Sequence, residues 1–213
     1  MKTPTRIDLA GLTQHLAGIA SGTGRVMVAL AGAPGSGKST MAERLVDGVN
    51  ASRPGHAALL PMDGFHYDDI LLNQLDRRPR KGAPDTFDVG GLRHMLHRLR
   101  ARDEDDVAVP VFDRQIEIAR AGARLIPQSV GLVVVEGNYV LLRDAPWSGL
   151  LDQFDLTVMI DCPEPTLRDR LTARWLHYNL SPDEIRAKLE ENDLPNGRRV
   201  VADSVAADFV LPN

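Results

Sequence analysis

The sequence predicts an α/β fold in which helices cover both faces of a doubly wound parallel sheet. Three observations predict it: short apolar runs typical of buried strands recur along the chain, segments with one-sided apolar spacing separate them, and glycines or acids follow several of the runs. With 213 residues, the chain is long enough for one domain of good size, and we expect a single domain over residues 1–213.

Composition narrows the class of protein and its partners. Lys and Arg total 25 against 29 Asp and Glu, which gives a formal net charge of −4. This mild acidity argues against a basic face for nucleic acid, so we expect no nucleic-acid partner. No apolar run approaches the ~20 residues of a membrane span, and the single cysteine, Cys162, cannot form an internal disulfide. We therefore expect a soluble, cytoplasmic protein that binds no membrane and acts on a small molecule.

In the first half of the chain, predicted strands and helices alternate. Leu9, Leu12, Leu16 and Ile19 have the spacing of an amphipathic helix within the first 20 residues. The further predicted elements are a buried strand over 26–31, a helix over 38–50, a strand over 57–61, a short helix and exposed loop over 68–88, and a helix over 89–102.

The second half continues the alternation. The β-branched run 132–135 predicts a central strand, and Asp161 after the strand 156–160 is predicted to cap a helix. Ser181 opens a capping-box order, so two helices are expected after the last long strand. The other predicted elements are a strand over 107–112, a weakly indicated hairpin over 113–128, a helix over 166–176 and an edge strand over 208–211.

A phosphate-binding loop (P-loop) is the most specific motif. Residues 32–39 read Gly-Ala-Pro-Gly-Ser-Gly-Lys-Ser, fit the pattern G-x-x-x-x-G-K-[ST], and lie between a predicted buried strand and a helix. Small residues let backbone N–H groups surround a β-phosphate. We expect Lys38 to bridge the β- and γ-phosphates and Ser39 to bind Mg²⁺. We expect Thr40 to contact the α-phosphate. The candidate nucleotide-binding residues are Gly32, Ala33, Pro34, Gly35, Ser36, Gly37, Lys38, Ser39 and Thr40.

The identity of the nucleotide follows from motifs that the chain lacks. The glycine spacing of a dinucleotide-binding loop fails because Thr40 stands where the third glycine is needed. No lysine follows an asparagine, so the Asn-Lys-x-Asp motif expected of a GTPase is missing. The sequence therefore favours ATP, which arrives with Mg²⁺.

Two acids follow predicted strands at the edge of the sheet where ligands bind. Asp63 comes just after the second strand, where a carboxylate could orient an attacking hydroxyl and accept its proton. Glu136 ends the most β-branched strand, where an acid can hold Mg²⁺ directly or through water. The alternative interpretation of both is an ordinary turn residue.

Four further segments accompany the phosphate loop: Met-Asp-Gly-Phe-His at 62–66, Arg-Lys-Gly-Ala-Pro-Asp-Thr-Phe-Asp at 80–88, Pro-Val-Phe-Asp-Arg at 110–114 and Val-Glu-Gly-Asn-Tyr at 135–139. In this order the chain resembles, over 25–211, the phosphoribulokinase/uridine kinase family of P-loop kinases, which includes pantothenate kinases and fructose-type kinases.

The resemblance implies roles for several residues. It implies a catalytic base at Asp63, a metal-associated acid at Glu136, a substrate loop over roughly 68–88 and a helical lid over 165–195. The lid would bring arginines to the transferring phosphate, with Arg170 and Arg174 one helical turn apart and Arg168 beside them. A homodimer is compatible with this family.

The acceptor is less well defined, because the chain departs from the family pattern where acceptors are recognised. Residues 112–117 carry no histidine, which weakens uridine, and Phe112 and Arg114 stand where pantothenate kinases show a tyrosine and a histidine. An arginine facing the pocket suits a polar or anionic acceptor, which favours a sugar such as fructose. The candidate substrate residues are Asp63, Phe65, His66, Arg80, Lys81, Arg114 and Asn138.

The predicted function is therefore an ATP- and Mg²⁺-dependent kinase acting on a hydroxyl of a small metabolite, with Asp63, Lys38, Arg170 and Arg174 as catalytic residues. A uridine or other nucleoside kinase and a pantothenate kinase remain alternatives. From a different class, a P-loop switch or hydrolase that acts through a protein partner, and an RNA-binding ATPase that uses the basic run 77–81, also remain open.

Overall fold

Six parallel strands form the central sheet of the protein. The computed structural model describes residues 3–20, 22 and 24–213. The sheet strands are β1 (Thr5–Arg6), β2 (Val26–Ala31), β3 (Ala57–Pro61), β6 (Leu132–Gly137), β7 (Leu156–Asp161) and β8 (Phe209–Pro212). Their order across the sheet is β1–β8–β7–β2–β6–β3, while β4 (Asp106–Asp113) and β5 (Ile118–Pro127) pair as a separate antiparallel hairpin.

Helices cover both faces of this sheet. Successive residues of its strands point to opposite faces and pack in two separate apolar cores. The helices are α1 (Leu9–Ile19), α2 (Lys38–Ser52), α3 (Asp69–Gln74), α4 (Val89–Ala101), α5 (Glu164–His177), α6 (Pro182–Lys188) and α7 (Leu194–Asp203). Met27 of β2 packs in the core that contains Leu92 of α4, whereas its neighbour Val28 packs in the core that contains Leu12 of α1 and Leu45 of α2. The predicted doubly wound α/β fold is confirmed.

The first helix matches the prediction, and the strand at the other end of the chain does not. The helix spans Leu9–Ile19, within the first 20 residues, and Asp8 caps it by accepting a hydrogen bond from the Gly11 N–H at 2.7 Å. Thr5 and Arg6 form β1, which pairs with β8 and makes the sheet edge. The strand predicted over 208–211 is therefore an inner strand and not an edge strand.

The segment after β7 differs from the predicted pair of helices. It contains α5, α6 and α7, with a π-helical turn over Leu189–Asp193 between the last two. Asp161 does not cap α5, because the helix starts at Glu164 after Pro163, and the Asp161 carboxylate instead accepts a hydrogen bond from Arg6 at 3.1 Å. The segment 164–203 contains the predicted lid, 165–195, and from here on we refer to the whole segment as the lid; a core that includes Leu171 and Leu189 holds its helices together.

The carboxyl ends of β2, β3 and β6 meet at one edge of the sheet. The strand register pairs Pro61 with Glu136 and Ala31 with Gly137, so the segments that follow these strands begin at the same level. None of the described helices is long and apolar enough to cross a bilayer.

Candidate active site

The phosphate loop turns sharply between β2 and α2. Gly37, the residue before α2, has φ 81°, a left-handed conformation that a side chain would strain. The Ser36 N–H donates to the Ala33 carbonyl at 3.0 Å, which closes the turn. The helix then begins at Lys38, and the unpaired N–H groups of its first turn are a ready anion site.

Lys38, Ser39 and Glu136 meet behind this loop. Lys38 is 8% exposed, and its burial lowers its pKa although Glu136 and Asp63 oppose the shift. The Ser39 hydroxyl donates to Glu136 Oε1 at 3.1 Å, and the buried Glu136 Oε2 has no hydrogen-bond partner within the described part of the chain. Burial raises the Glu136 pKa, against the attraction of Lys38.

This arrangement fits a divalent cation that shares its coordination with phosphate oxygens. Ser39 and Glu136 supply a hydroxyl and an orphaned carboxylate oxygen, which are the hard oxygen donors that Mg²⁺ takes. Among residues 3–20, 22 and 24–213, no cluster of three or more His, Cys, Asp or Glu side chains could hold a metal without such help. Structural metal sites of that kind are thus not indicated in the described residues.

Asp63 stands in a short 3₁₀ turn, Met62–Phe65, directly after β3. Its Oδ2 accepts a hydrogen bond from Arg114 Nη2 at 2.6 Å. Burial pushes the pKa of Asp63 upward, but the nearby His66, Arg114 and Lys38 groups outweigh burial, and the pKa lies below its ordinary value of 3.8. The carboxylate is therefore ionised at neutral pH.

A glycine lets the hairpin reach this turn. A Cβ atom on Gly64 would collide with the backbone of Pro110 and Val111 in β4, so only glycine permits so close an approach. Arg114, at the end of this hairpin strand, thereby comes within hydrogen-bond distance of Asp63.

Aromatic rings flank the site on the acceptor side. The His66 ring lies between Phe87 and Phe112, with centroid distances of 4.0 and 4.6 Å. His66 Nδ1 lies 2.8 Å from the Asp63 carbonyl oxygen, so the neutral ring donates from Nδ1 and leaves Nε2 as an acceptor. Burial lowers the His66 pKa below 6.5, although the Asp63 carboxylate opposes the shift.

The substrate loop, residues 68–88, is anchored through its backbone and through one lysine. The Tyr139 hydroxyl donates to the Gly82 carbonyl at 2.6 Å, and Trp147 Nε1 donates to the Pro84 carbonyl at 3.2 Å. Lys81 Nζ, 7% exposed, donates to Asp69 Oδ1 and to the Glu117 carbonyl, both at 2.7 Å. The loop is therefore held to the segment after β6 and to the hairpin turn, while the Lys81–Asp69 bond joins two parts of the loop itself.

The lid closes the remaining side of the site. Burial lowers the Arg174 pKa below its ordinary value, and the guanidinium interacts electrostatically with both Asp193 and Asp63. Trp175 Nε1 donates to Asp193 Oδ2 at 2.7 Å, and Asp193 is only 9% exposed. The lid thus contributes an arginine that interacts with the acid following β3, and a buried carboxylate that interacts with that arginine.

One cavity of about 470 Å³ connects these elements. Most of the residues that the sequence nominates line it: Pro34, Gly35, Gly37, Lys38, Ser39, Thr40, Asp63, His66, Lys81, Arg114, Asn138 and Arg174. The sequence patterns missed its other polar and aromatic lining, chiefly Trp175, Tyr178, Lys188, Asn192, Asp193 and Asn196. Helical spacing in residues 174–196 gave no signal for them, because their side chains converge only after the lid folds over the sheet.

Some of the nominated residues lie outside this cavity. Phe65 is buried in the core that contains α4, and Arg80 pairs with Asp85 at 2.6 Å on the surface, so neither lines the acceptor space. Arg170 donates to the Ser36 carbonyl at 3.3 Å rather than facing Asp63, and Arg168 pairs with Glu190.

Three further nominated residues, Gly32, Ala33 and Ser36, belong to the loop but do not line the cavity. Gly32 and Ala33 connect β2 to the turn, with Ala33 packed in the core of the lid, and Ser36 is fully buried with its hydroxyl unpaired within the described part of the chain. Glu136 reaches the site through Ser39 rather than through the cavity wall.

Comparison with protein-family models gives no match. Comparison with individual proteins does: the chain is 35% identical over 189 residues to "Uncharacterized protein YggC" of Escherichia coli, covering 88% of this chain and 77% of that protein. It is 30% identical over 194 residues to "Putative uridine kinase C227.14" of Schizosaccharomyces pombe, covering 88% of this chain and 83% of that protein.

Solved structures agree with these relatives. A crystal structure described as a "putative fructose transport system kinase" from Silicibacter superposes with a TM-score of 0.87 at 38% identity. The match covers 96% of this chain and 98% of that one. Together with the loop at 32–39 and the acid after β3, these relatives establish that the chain belongs to the phosphoribulokinase/uridine kinase family of P-loop kinases, which are ATP-dependent phosphotransferases acting on small molecules.

Proposed function

We propose that the protein transfers the γ-phosphoryl group of ATP to a hydroxyl of a sugar such as fructose, with Mg²⁺ as cofactor. The observation that carries the proposal is that Lys38 and Asp63 line the same cavity, so a phosphate tail and an acceptor can meet there. The Silicibacter relative, whose description refers to fructose, supports the choice of a sugar.

The triphosphate is bound mainly by backbone. The N–H groups at the start of α2 and the left-handed turn at Gly37 form the cradle, and Lys38 neutralises charge on the β- and γ-phosphates. Ser39 and Glu136 would hold Mg²⁺ beside it; when bound, the cation neutralises phosphate charge.

Asp63 is the catalytic base of the proposal. As the acceptor oxygen forms its bond to the γ-phosphorus, the bond from that phosphorus to the bridging β,γ-oxygen breaks and ADP leaves. The hydroxyl proton passes to the ionised Asp63 carboxylate, whose orientation is set by Arg114 at 2.6 Å. Because Arg114 occupies only Oδ2, Oδ1 is the oxygen available to the acceptor hydroxyl.

Arg174 acts on the transferring phosphoryl group. It lines the cavity from the lid, and its half-buried side chain lies close enough to Asp63 to interact with it electrostatically. A fixed positive charge there stabilises the charge spread over the equatorial oxygens of the phosphoryl group. Arg170, in contact with the backbone of the loop, has a positioning role instead.

The acceptor side favours a hydroxylated molecule. Amides, acids and aromatic rings surround it, with Asn138, His66 and Phe112 on one side and Trp175 on the other. Aromatic faces pack against the apolar face of a ring, while amides and carboxylates bond its hydroxyls. A nucleoside or pantothenate acceptor remains the alternative within the kinase class.

The experiment is an ATP-consumption assay across a panel of sugars, nucleosides, pantothenate and glycerate, with the phosphorylated product identified by mass spectrometry. We expect one neutral sugar to give the highest kcat/KM. ATP hydrolysis that no acceptor stimulates would instead favour the switch or hydrolase that acts through a protein partner. RNA binding that weakens with salt would favour the RNA-binding ATPase.

A further inference from the structure

The lid contains a π-helical turn next to the acceptor. The Leu194 N–H donates to the Leu189 carbonyl, five residues earlier, instead of four. This wider turn lets Leu189 and Leu194 both pack in the core of the lid. The polar residues between and after them, Asn192, Asp193 and Asn196, line the cavity. Such turns are common at functional sites.

Asp193 is buried, and its carboxylate can accept more hydrogen bonds than the one from Trp175. Its exposure is 9%, and Trp175 Nε1 donates to its Oδ2 at 2.7 Å. A carboxylate has about four acceptor positions on two oxygens, so this bond leaves the greater part free for a ligand. A buried carboxylate without further hydrogen bonds is costly, which makes an incoming hydroxyl favourable.

A chain of amides fixes this turn against the substrate loop. Asn192 Nδ2 donates to the Lys81 carbonyl at 3.1 Å, and Asn196 Nδ2 donates to Asn192 Oδ1 at 2.9 Å. The position of the neighbouring Asp193 is thereby set relative to the loop and not by the lid alone. A carboxylate held on both sides can select among acceptors by geometry.

Arg174 connects the two acids of the cavity. Its guanidinium interacts with Asp193 and with Asp63. Both carboxylates and this arginine line the same cavity. An acceptor that offers one hydroxyl to Asp63 can offer another to Asp193.

Two further cations of the cavity are paired with acids: Lys81 bonds Asp69 and Arg114 bonds Asp63. A third, Lys188, lines the cavity and lies over the Trp175 ring, 5.5 Å from its centroid. An acceptor carboxylate placed against Asp193 would meet a negative charge, whereas a hydroxyl placed there can donate a hydrogen bond to it. The Asp193 position therefore favours a neutral hydroxyl.

We infer that Asp193 is the specificity-determining residue of the acceptor pocket. Its carboxylate accepts a hydrogen bond from a hydroxyl other than the one that is phosphorylated, and so selects a neutral polyhydroxylated acceptor over a carboxylate. This inference rests on the proposed function, because it takes Asp63 as the base at the other end of the acceptor.

The test uses the full chain, the neutral sugar of the panel with the highest kcat/KM, its monodeoxy analogues and D-glycerate. Asp193→Asn should raise KM for the sugar about tenfold to a hundredfold and leave KM for ATP within about twofold. With the unmodified protein, one monodeoxy analogue should lose a similar factor, and with Asp193→Asn the same analogue should lose almost nothing. The ratio of glycerate to sugar turnover should rise.

Two further variants separate selection from a merely structural role. Glu191→Gln changes an exposed acid of the same π turn and should leave all parameters unchanged. Trp175→Phe removes the bond to Asp193 but keeps the carboxylate and a ring, and it should preserve the effect of the deoxy analogue.

Three results would overturn the inference. An equal loss for every acceptor in Asp193→Asn, or a Trp175→Phe variant that reproduces that loss and abolishes discrimination, would make Asp193 a structural residue. Unchanged sugar kinetics in Asp193→Asn would remove it from the pocket while leaving the kinase assignment intact. If no neutral sugar is phosphorylated at all, the proposed acceptor class and the role of Asp193 fall together.

Discussion

The nucleotide side and the acceptor side of the cavity are built in different ways. The nucleotide side is nine consecutive residues, 32–40, held between a buried strand and the first turn of a helix. The acceptor side is assembled from separate segments, which include the substrate loop, the hairpin turn and the lid. Its contacts are ion pairs and side-chain hydrogen bonds such as Lys81 with Asp69 and Arg114 with Asp63.

The two sides therefore differ in how readily a substitution changes what they bind. Backbone geometry specifies a phosphate site, and many sequences with small residues can adopt it. Side chains from distant segments specify an acceptor, so a change of a single residue there can alter selectivity. Variants on the nucleotide side should therefore change ATP binding, and variants on the acceptor side should change turnover or acceptor kinetics.

The largest expected loss of activity comes from substituting Asp63, which belongs to the acceptor side. Asp63→Asn should lower kcat by ~10²-fold or more, because the proton acceptor is lost, and leave ATP binding nearly intact. Steady-state kinetics and ATP titration by calorimetry measure the two quantities. Asp47→Asn, on the exposed face of α2, is the matched control. Nearly unchanged turnover would remove Asp63 from the mechanism.

Lys38→Ala should damage the nucleotide side in both binding and rate. The lysine contacts phosphate before and during transfer, so we expect kcat/KM for ATP to fall about 10²-fold, with weaker ATP binding. Arg44→Ala changes an exposed cation on the same helix and should have no effect. An active Lys38→Ala enzyme with normal ATP affinity would contradict the assignment of the loop.

Two of the three arginines of α5, Arg174 and Arg168, distinguish the cavity from the surface. Arg174→Gln should lower kcat about tenfold or more with little change in Kd for ATP, since its charge acts on the transferring group. Arg168→Gln removes an exposed pair with Glu190 and should change neither stability nor activity measurably. Equal kinetics for the two variants would mean that the cavity side of α5 has no catalytic part.

Tyr139→Phe should affect the acceptor side and leave the nucleotide side unchanged, because the Tyr139 hydroxyl bonds the substrate loop. It removes the 2.6 Å bond to the Gly82 carbonyl, which should cost about 1–3 kcal/mol in the free energy of unfolding and raise KM for the acceptor several-fold. Chemical denaturation and acceptor kinetics measure these effects. KM for ATP should stay constant, as it should for Tyr67→Phe; a change in ATP affinity would show that the two sides are not separable.

The smallest expected effect concerns His66. Its folded-state pKa lies below 6.5, so as pH falls below about 6.5 the unfolded chain binds a proton that the folded protein does not, and stability decreases. His66→Gln should therefore lose a few degrees less in Tm between about pH 7.5 and about pH 5.5 than the unmodified protein. His97→Gln, exposed on α4, should keep the original pH dependence.

The sequence predicts the nucleotide side far better than the acceptor side. The loop 32–39 is one contiguous motif, and Asp63 and Glu136 directly follow apolar runs, so local patterns suffice to nominate them. Asp193 follows no strand and no motif; its position depends on a π turn and on the packing of the lid, which no local periodicity encodes. The same reason explains why Phe65 and Arg80, nominated from motifs, lie outside the cavity: tertiary packing places Phe65 in the core and pairs Arg80 with Asp85.

The anchoring of the substrate loop by Tyr139 and Trp147 has an evolutionary consequence. Both donors bond main-chain carbonyls, at Gly82 and Pro84, which any replacement of neighbouring side chains would still present. Side chains along this segment can therefore be exchanged during divergence without unseating it. A scaffold with that tolerance can give rise to enzymes of different substrate preference while its phosphate-transfer machinery stays the same.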